Sequence, residues 1–200
     1  MRKHLCLLIS FVIICAISLP VVEATSDEVD TYALSEDERY SFLNRIQWVQ
    51  VDDGSYKNSI YSFDVNKDGT IALAIAGDAV YVYDASGEIL YGYRFKYDGD
   101  FGVEFHGEIL TIYFLRGNSI LLIDANGQCI AVQKANDVNQ HITKMKEVLN
   151  RTIVDTEGKR YFLERDINIG NSYSRFVVEE QGTKIVLYDV TIDFTIKQVS

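Results

Sequence analysis

From Tyr97 to Glu108 the chain reads YDGDFGVEFHGE, a run dense in groups able to bind a cation or move a proton. Side chains alternate sides along an extended strand, so Asp98, Asp100, Glu104, His106 and Glu108 would share one face while Tyr97, Phe101, Val103 and Phe105 share the other. Carboxylates in a row beside one imidazole could hold a divalent cation, hydrogen-bond a sugar, or serve acid–base hydrolysis. The same alternation also describes the solvated face of a half-buried strand, with Gly99 and Gly102 marking turns or bulges. We prefer that plainer reading.

A second oxygen-rich stretch runs Asp64-Val65-Asn66-Lys67-Asp68-Gly69-Thr70-Ile71. It matches the first eight positions of a calcium-binding EF-hand loop, in which Asp64, Asn66 and Asp68 would be metal ligands and the glycine lets the chain wrap one hard cation. The match fails where the loop must close. Ala72 and Ile75 stand at positions nine and twelve, so the bidentate carboxylate is missing, and the residues after Gly69 alternate as a strand. A turn that uses Asn66, Asp68 and Gly69 for backbone reasons accounts for the same residues, and no calcium site is expected.

Other catalytic constellations are sparse. His106 and His141 are the imidazoles beyond the N-terminal segment, no serine sits in a nucleophile-elbow context, no glycine-rich phosphate loop opens a helix, and no ligand pair has zinc spacing. Cys129 falls in a predicted strand and reads as a small core residue. No cofactor is implied. Asn150-Arg151-Thr152 is a glycosylation sequon, relevant in a eukaryotic secretory pathway.

The start, MRKHLCLLISFVIICAISLPVVEAT, has a short basic region, an apolar run and a helix-breaking Pro20 before Val22-Glu23-Ala24. That is the build of a secretory signal, with cleavage expected after Ala24. A single N-terminal membrane anchor is the alternative, because Leu5 to Val22 is 18 residues, at the lower edge of what spans a bilayer. Lipid attachment at Cys15 is discounted because bulky Ile14 precedes it. Removing residues 1–24, which carry Arg2, Lys3 and Glu23, changes the net charge from −10 to −11 and leaves Cys129 alone, so no internal disulfide can form. An acidic surface without a basic cluster repels phosphate backbones, which excludes nucleic acid as an expected partner.

The elements that must position these residues are mostly strands. Ser35 and Glu38 have capping-box spacing, which predicts a helix over about 36–45 inside the acidic segment 25–50. Asn136-Asp137 precede a second predicted helix over 138–149, with Val138, Ile142, Met145 and Leu149 as its apolar stripe. Between them the period is two. Ile71, Leu73 and Ile75 alternate with alanines, Gly77-Asp78 predicts a two-residue type II′ turn, and Asp84-Ala85-Ser86-Gly87 predicts a type I turn. Forty residues later the chain repeats both devices, Gly117-Asn118 and Asp124-Ala125-Asn126-Gly127, so GDAVYVYDASGE and GNSILLIDANGQ are two copies of one pair of hairpin turns. A weaker third copy covers residues 153–189, ending in GTKIVLYD.

A period near 40 with about four strands per unit resembles the blades of β-propellers found in extracellular bacterial proteins. The resemblance rests on FDVNKDGTIALAIAGDAVYVYDASGEIL and FHGEILTIYFLRGNSILLIDANGQCI, and three units fall short of the four or more that a closed propeller needs. The expected fold is therefore mainly β: antiparallel hairpin repeats resembling an incomplete β-propeller, with two short capping helices. The expected organisation is a signal peptide over 1–24, an acidic segment over 25–50 and a β-repeat domain over 51–200. The expected function is an exported, non-enzymatic binding or scaffolding role at the cell envelope or outside it, with no particular ligand implied. The alternative is a carbohydrate-active or metal-assisted hydrolase using the strip from Asp98 to Glu108. A monomer is expected, a homodimer through exposed sheet surface being the alternative.

Overall fold

The computed structural model describes residues 29–166 and 172–190, so the expected signal sequence, its cut after Ala24 and the anchor alternative lie outside the described residues. Among the described residues no helix is long and apolar enough to cross a membrane. Helix α1 spans Glu36–Arg45. Its capping box forms in full, the Ser35 hydroxyl accepting from the Glu38 N–H while the Glu38 carboxylate accepts from the Ser35 N–H at 2.9 Å. Helix α2 spans Val138–Asn150, with the Asp137 carboxylate at its N-cap accepting from the Asn139 N–H at 2.8 Å.

The strands form three successive antiparallel meanders in two sheets, the first and third meanders being joined in one nine-stranded sheet by the pairing of Tyr173 with Ile60. The first holds β3 (Ile60–Val65), β4 (Ile71–Ile75), β5 (Ala79–Tyr83) and β6 (Ile89–Arg94). The second holds β7 (Phe101–His106), β8 (Ile109–Phe114), β9 (Ser119–Ile123) and β10 (Cys129–Ala135), and the third β11 (Ile153–Thr156), β12 (Lys159–Arg165), β13 (Tyr173–Glu180) and β14 (Thr183–Asp189). Two short strands of the N-terminal segment extend these sheets: β1 (Thr31–Ala33) pairs with β10, and β2 (Val49–Val51) pairs with β6. The acidic segment thus covers sheet edges, which would otherwise present unpaired backbone groups.

The repeated turns explain the repeated phrase. In Asp84–Gly87 and Asp124–Gly127 the glycine N–H donates to the aspartate carbonyl at 3.0 Å, and each aspartate carboxylate accepts from backbone N–H groups two and four residues on. Asn66–Gly69 closes the same way, its Gly69 N–H donating to the Asn66 carbonyl at 3.0 Å. The tight turns differ from expectation. A type II′ turn needs one left-handed residue, but φ is +80° and +66° at Gly77-Asp78 and +79° and +51° at Gly117-Asn118. Aspartate and asparagine tolerate that region better than most residues, which accounts for the choice at the second place.

The sheets stack openly. Ala72, Ala74, Val80 and Val82 of the first meander pack on Val103, Leu110, Ile112 and Leu121 of the second, with Phe42 and Ile46 of the α1 region closing the layer. On its other face Phe63, Leu73 and Tyr81 meet Tyr161, Leu163 and Phe176 of the third meander. Strand β9 is apolar on both faces because both are covered: Leu121 and Ile123 face the first meander, while Ile120 and Leu122 join Met145 and Val148 of α2. Each fully buried Val, Leu, Ile, Met or Phe among them contributes about 1.5–3 kcal/mol by leaving water, so this layering dominates stability.

Candidate functional site

The candidate site lies where β3, β7 and the C-terminal half of α2 converge. Even-numbered residues of β7 face α2, and the helix comes close because residue 102 is glycine: a Cβ there would stand 2.7 Å from a Val148 methyl. That close approach buries Glu104, whose side chain is 8% exposed, against a lysine that is 6% exposed. Lys144 Nζ lies 2.9 Å from Glu104 Oε2, and Arg151 Nη2 lies 2.5 Å from Oε1. The Tyr113 hydroxyl donates to Oε2 at 3.2 Å, and His106 Nε2 stands 3.1 Å from the same oxygen. Arg151 also reaches Asp64, Nη1 to Oδ1 at 2.9 Å, while the other Asp64 oxygen accepts from the Phe105 N–H at 2.7 Å.

Burial by itself would raise the Glu104 carboxyl, but hydrogen bonds from His106, Arg151 and Lys144 outweigh it and hold the group well below the usual carboxylate range. Asp64 goes the other way, its burial raising it against the Phe105 N–H and the Arg151 charge. A carboxylate held ionised by a lysine, an arginine and a phenol is a poor general acid or base at neutral pH. Its geometry instead ties three elements together. Arg151 follows α2 directly, so the pairs to Glu104 and Asp64 clamp the end of the helix onto β7 and β3.

The residues singled out from the sequence are not brought together. Asp98 and Asp100 precede β7, which begins at Phe101, and both are exposed; Asp98 pairs with Arg116 at the surface. Glu104 and His106 do share the α2 face, but Glu104 is buried, which corrects the reading of a solvated strip: α2 covers the strand there. Glu108 sits in the turn after β7. Asp64 turns into the clamp, whereas Asn66 accepts from the Lys67 N–H at 2.8 Å and Asp68 from the Thr70 N–H at 2.9 Å, each carboxamide or carboxylate serving its own turn. Among the described residues no group of three or more His, Cys, Asp or Glu side chains is placed to hold a metal ion. Cys129 is half-buried, and burial pushes its thiol up to about 11.

Lys144, Arg151 and Tyr113 were missed. The stripe Val138, Ile142, Met145 and Leu149 is rotated away from the observed seat, which buries His141, Lys144, Met145 and Val148 and leaves Val138 46% exposed. Val148 over Gly102 and Lys144 over Glu104 set this rotation. A lysine at helical spacing from His141 and Val148 is the one local signal that could have pointed to a buried carboxylate opposite.

Sheet order and clamp together define a mainly β protein of antiparallel sheets carrying two helices. No family model and no curated protein matches the sequence. Among solved structures the chain is similar to the crystal structure of Kluyvelomyces marxianus Hsv2, with a TM-score of 0.28 and 7% identity over 65% of this chain. The chain spans 48% of the Hsv2 chain it matches.

Proposed function

We propose that the chain is an exported, non-enzymatic binding or scaffolding module of the cell envelope or extracellular space, and that its meanders are the blades of an open, propeller-like stack. Support for the stack comes from three units of four antiparallel strands each, with the first strands of consecutive units, β3 and β7, packed side by side. Helices α1 and α2 cover apolar sheet surface, which fits a monomer. One observation carries the non-enzymatic reading: Glu104, the best-placed acid–base group of the sequence, is consumed by Lys144, Arg151 and Tyr113 in a buried clamp.

A turnover panel tests it. The mature protein, incubated with aryl glycosides, aryl phosphates and aryl esters, with and without calcium, magnesium or zinc, gives no turnover above buffer. Turnover that vanishes in the Asp98→Ala/Asp100→Ala double variant, which changes two exposed positions and leaves the fold intact, would assign a hydrolase to that loop and overturn the reading.

A further inference from the structure

The N-terminal half of α2 is seated differently from its clamped end. His141 is fully buried, and its Nε2 lies 2.9 Å from the carbonyl oxygen of Phe114 on β8. A carbonyl only accepts, so Nε2 carries the proton and Nδ1 presents a lone pair. Nδ1 is buried and has no hydrogen-bond partner. A second proton at Nδ1 would therefore place a cation where nothing accepts its hydrogen.

Among the described residues, no carboxylate faces His141 as a hydrogen-bond or ion-pair partner. From β8 comes the Tyr113 ring, its centroid 6.2 Å away, with its hydroxyl engaged by Glu104 and close to His106 of β7. The apolar cluster beneath α2 includes Ala135 of β10 and Val29 of the N-terminal arm. The Asp30 N–H donates to Gln140, beside His141, rather than to the imidazole. On α2 itself Lys144 is one turn on and bonded to Glu104, and the Asp137 carboxylate is engaged by the N-cap amides, while the Asp137 carbonyl accepts the His141 N–H. His141 makes no ion pair among the described residues.

We propose that α2 is an acid-released latch: protonation of His141 inside its seat undocks the N-terminal half of the helix from the second meander, before the clamped end releases and before the sheets themselves unfold. Undocking would bare Tyr113, Ile120 and Leu122, an apolar face that α2 now covers. The direction follows from linkage. Burial lowers the docked imidazole from its ordinary 6.5, so the released helix binds a proton that the docked helix does not. Docking is at full strength above 6.5 and weakens as pH falls below it. Glu104, held far below the usual carboxylate range, keeps its charge through this window, so its pairs with Lys144 and Arg151 remain.

Amide exchange on the full mature chain reads the latch, with protection factors corrected for the intrinsic pH dependence. Between pH 7.5 and 5 the opening constant of the amides in the N-terminal half of α2 should rise by several-fold and at most about thirty-fold, the ceiling that one added proton sets, while the β4 and β9 amides keep their protection. His141→Gln keeps a donor toward Phe114 but does not titrate, and should remove that rise; His141→Phe should do the same if the amide variant folds poorly. His106→Gln should retain it. A rise of the same size in both His141 variants, its loss in His106→Gln, or α2 and the sheets losing protection together would each overturn the proposal.

Discussion

Glu104→Ala is expected to cost about 3–5 kcal/mol, enough to lower the urea midpoint sharply and strip amide protection from α2. The magnitude follows from what is left behind. Lys144 is 6% exposed and Arg151 is 19% exposed, so deleting the carboxylate leaves two cations poorly hydrated at the seam between helix and sheet. Because hydrogen bonds overcome burial and keep Glu104 ionised, its contribution is fully present at neutral pH. A domain of this size has roughly 5–15 kcal/mol in hand, so this loss takes a large share of it. A midpoint shift under about 0.5 kcal/mol would mean that the clamp is incidental.

Phe114→Ala should be comparably costly, about 3–5 kcal/mol by urea or thermal unfolding, for a different reason. Phe114 is fully buried at the end of β8, where its ring meets Phe42 of α1 at 5.9 Å, Phe95 at 5.4 Å, Tyr97 at 4.8 Å and Phe101 of β7 at 6.2 Å. Removing it opens a cavity bordered by three chain segments, which cannot all collapse into it. Tyr40, on the same helix as Phe42 but 70% exposed, supplies the contrast: Tyr40→Ala should change stability by no more than about 0.5 kcal/mol.

Local chemistry made much of the fold legible. The capping box placed α1 over Glu36–Arg45, and the apolar period of two placed β4 over Ile71–Ile75, because caps and alternation are set by neighbours in sequence. The paired turns were readable for the same reason, although the second left-handed residue at Asp78 and Asn118 was not. Strands β1 and β2 escaped notice because each has three residues and is defined by the edge it covers.

The candidate site was less legible. Parity along YDGDFGVEFHGE correctly put Glu104 and His106 on one face, but it assumed that the strand ran through Asp98 and Asp100, which precede its first residue. The side chains that neutralise Glu104 lie 40 and 47 residues away, and their role depends on how α2 rotates over Gly102. Nothing in the residues near Lys144 alone fixes that rotation. Sequence spacing therefore identified a group able to do chemistry without revealing that packing had committed it to structure.

The most direct test of that commitment is a double-mutant cycle between Glu104→Gln and Lys144→Met, read by urea unfolding at pH 7. The clamp predicts that each single change destabilises the protein, and that the pair is coupled by about 1.5–3 kcal/mol because either change removes from a buried charge its 2.9 Å partner. Additivity within about 0.5 kcal/mol, with Glu104→Gln leaving the midpoint unchanged, would contradict the account and return Glu104 to the set of groups free to act on a ligand.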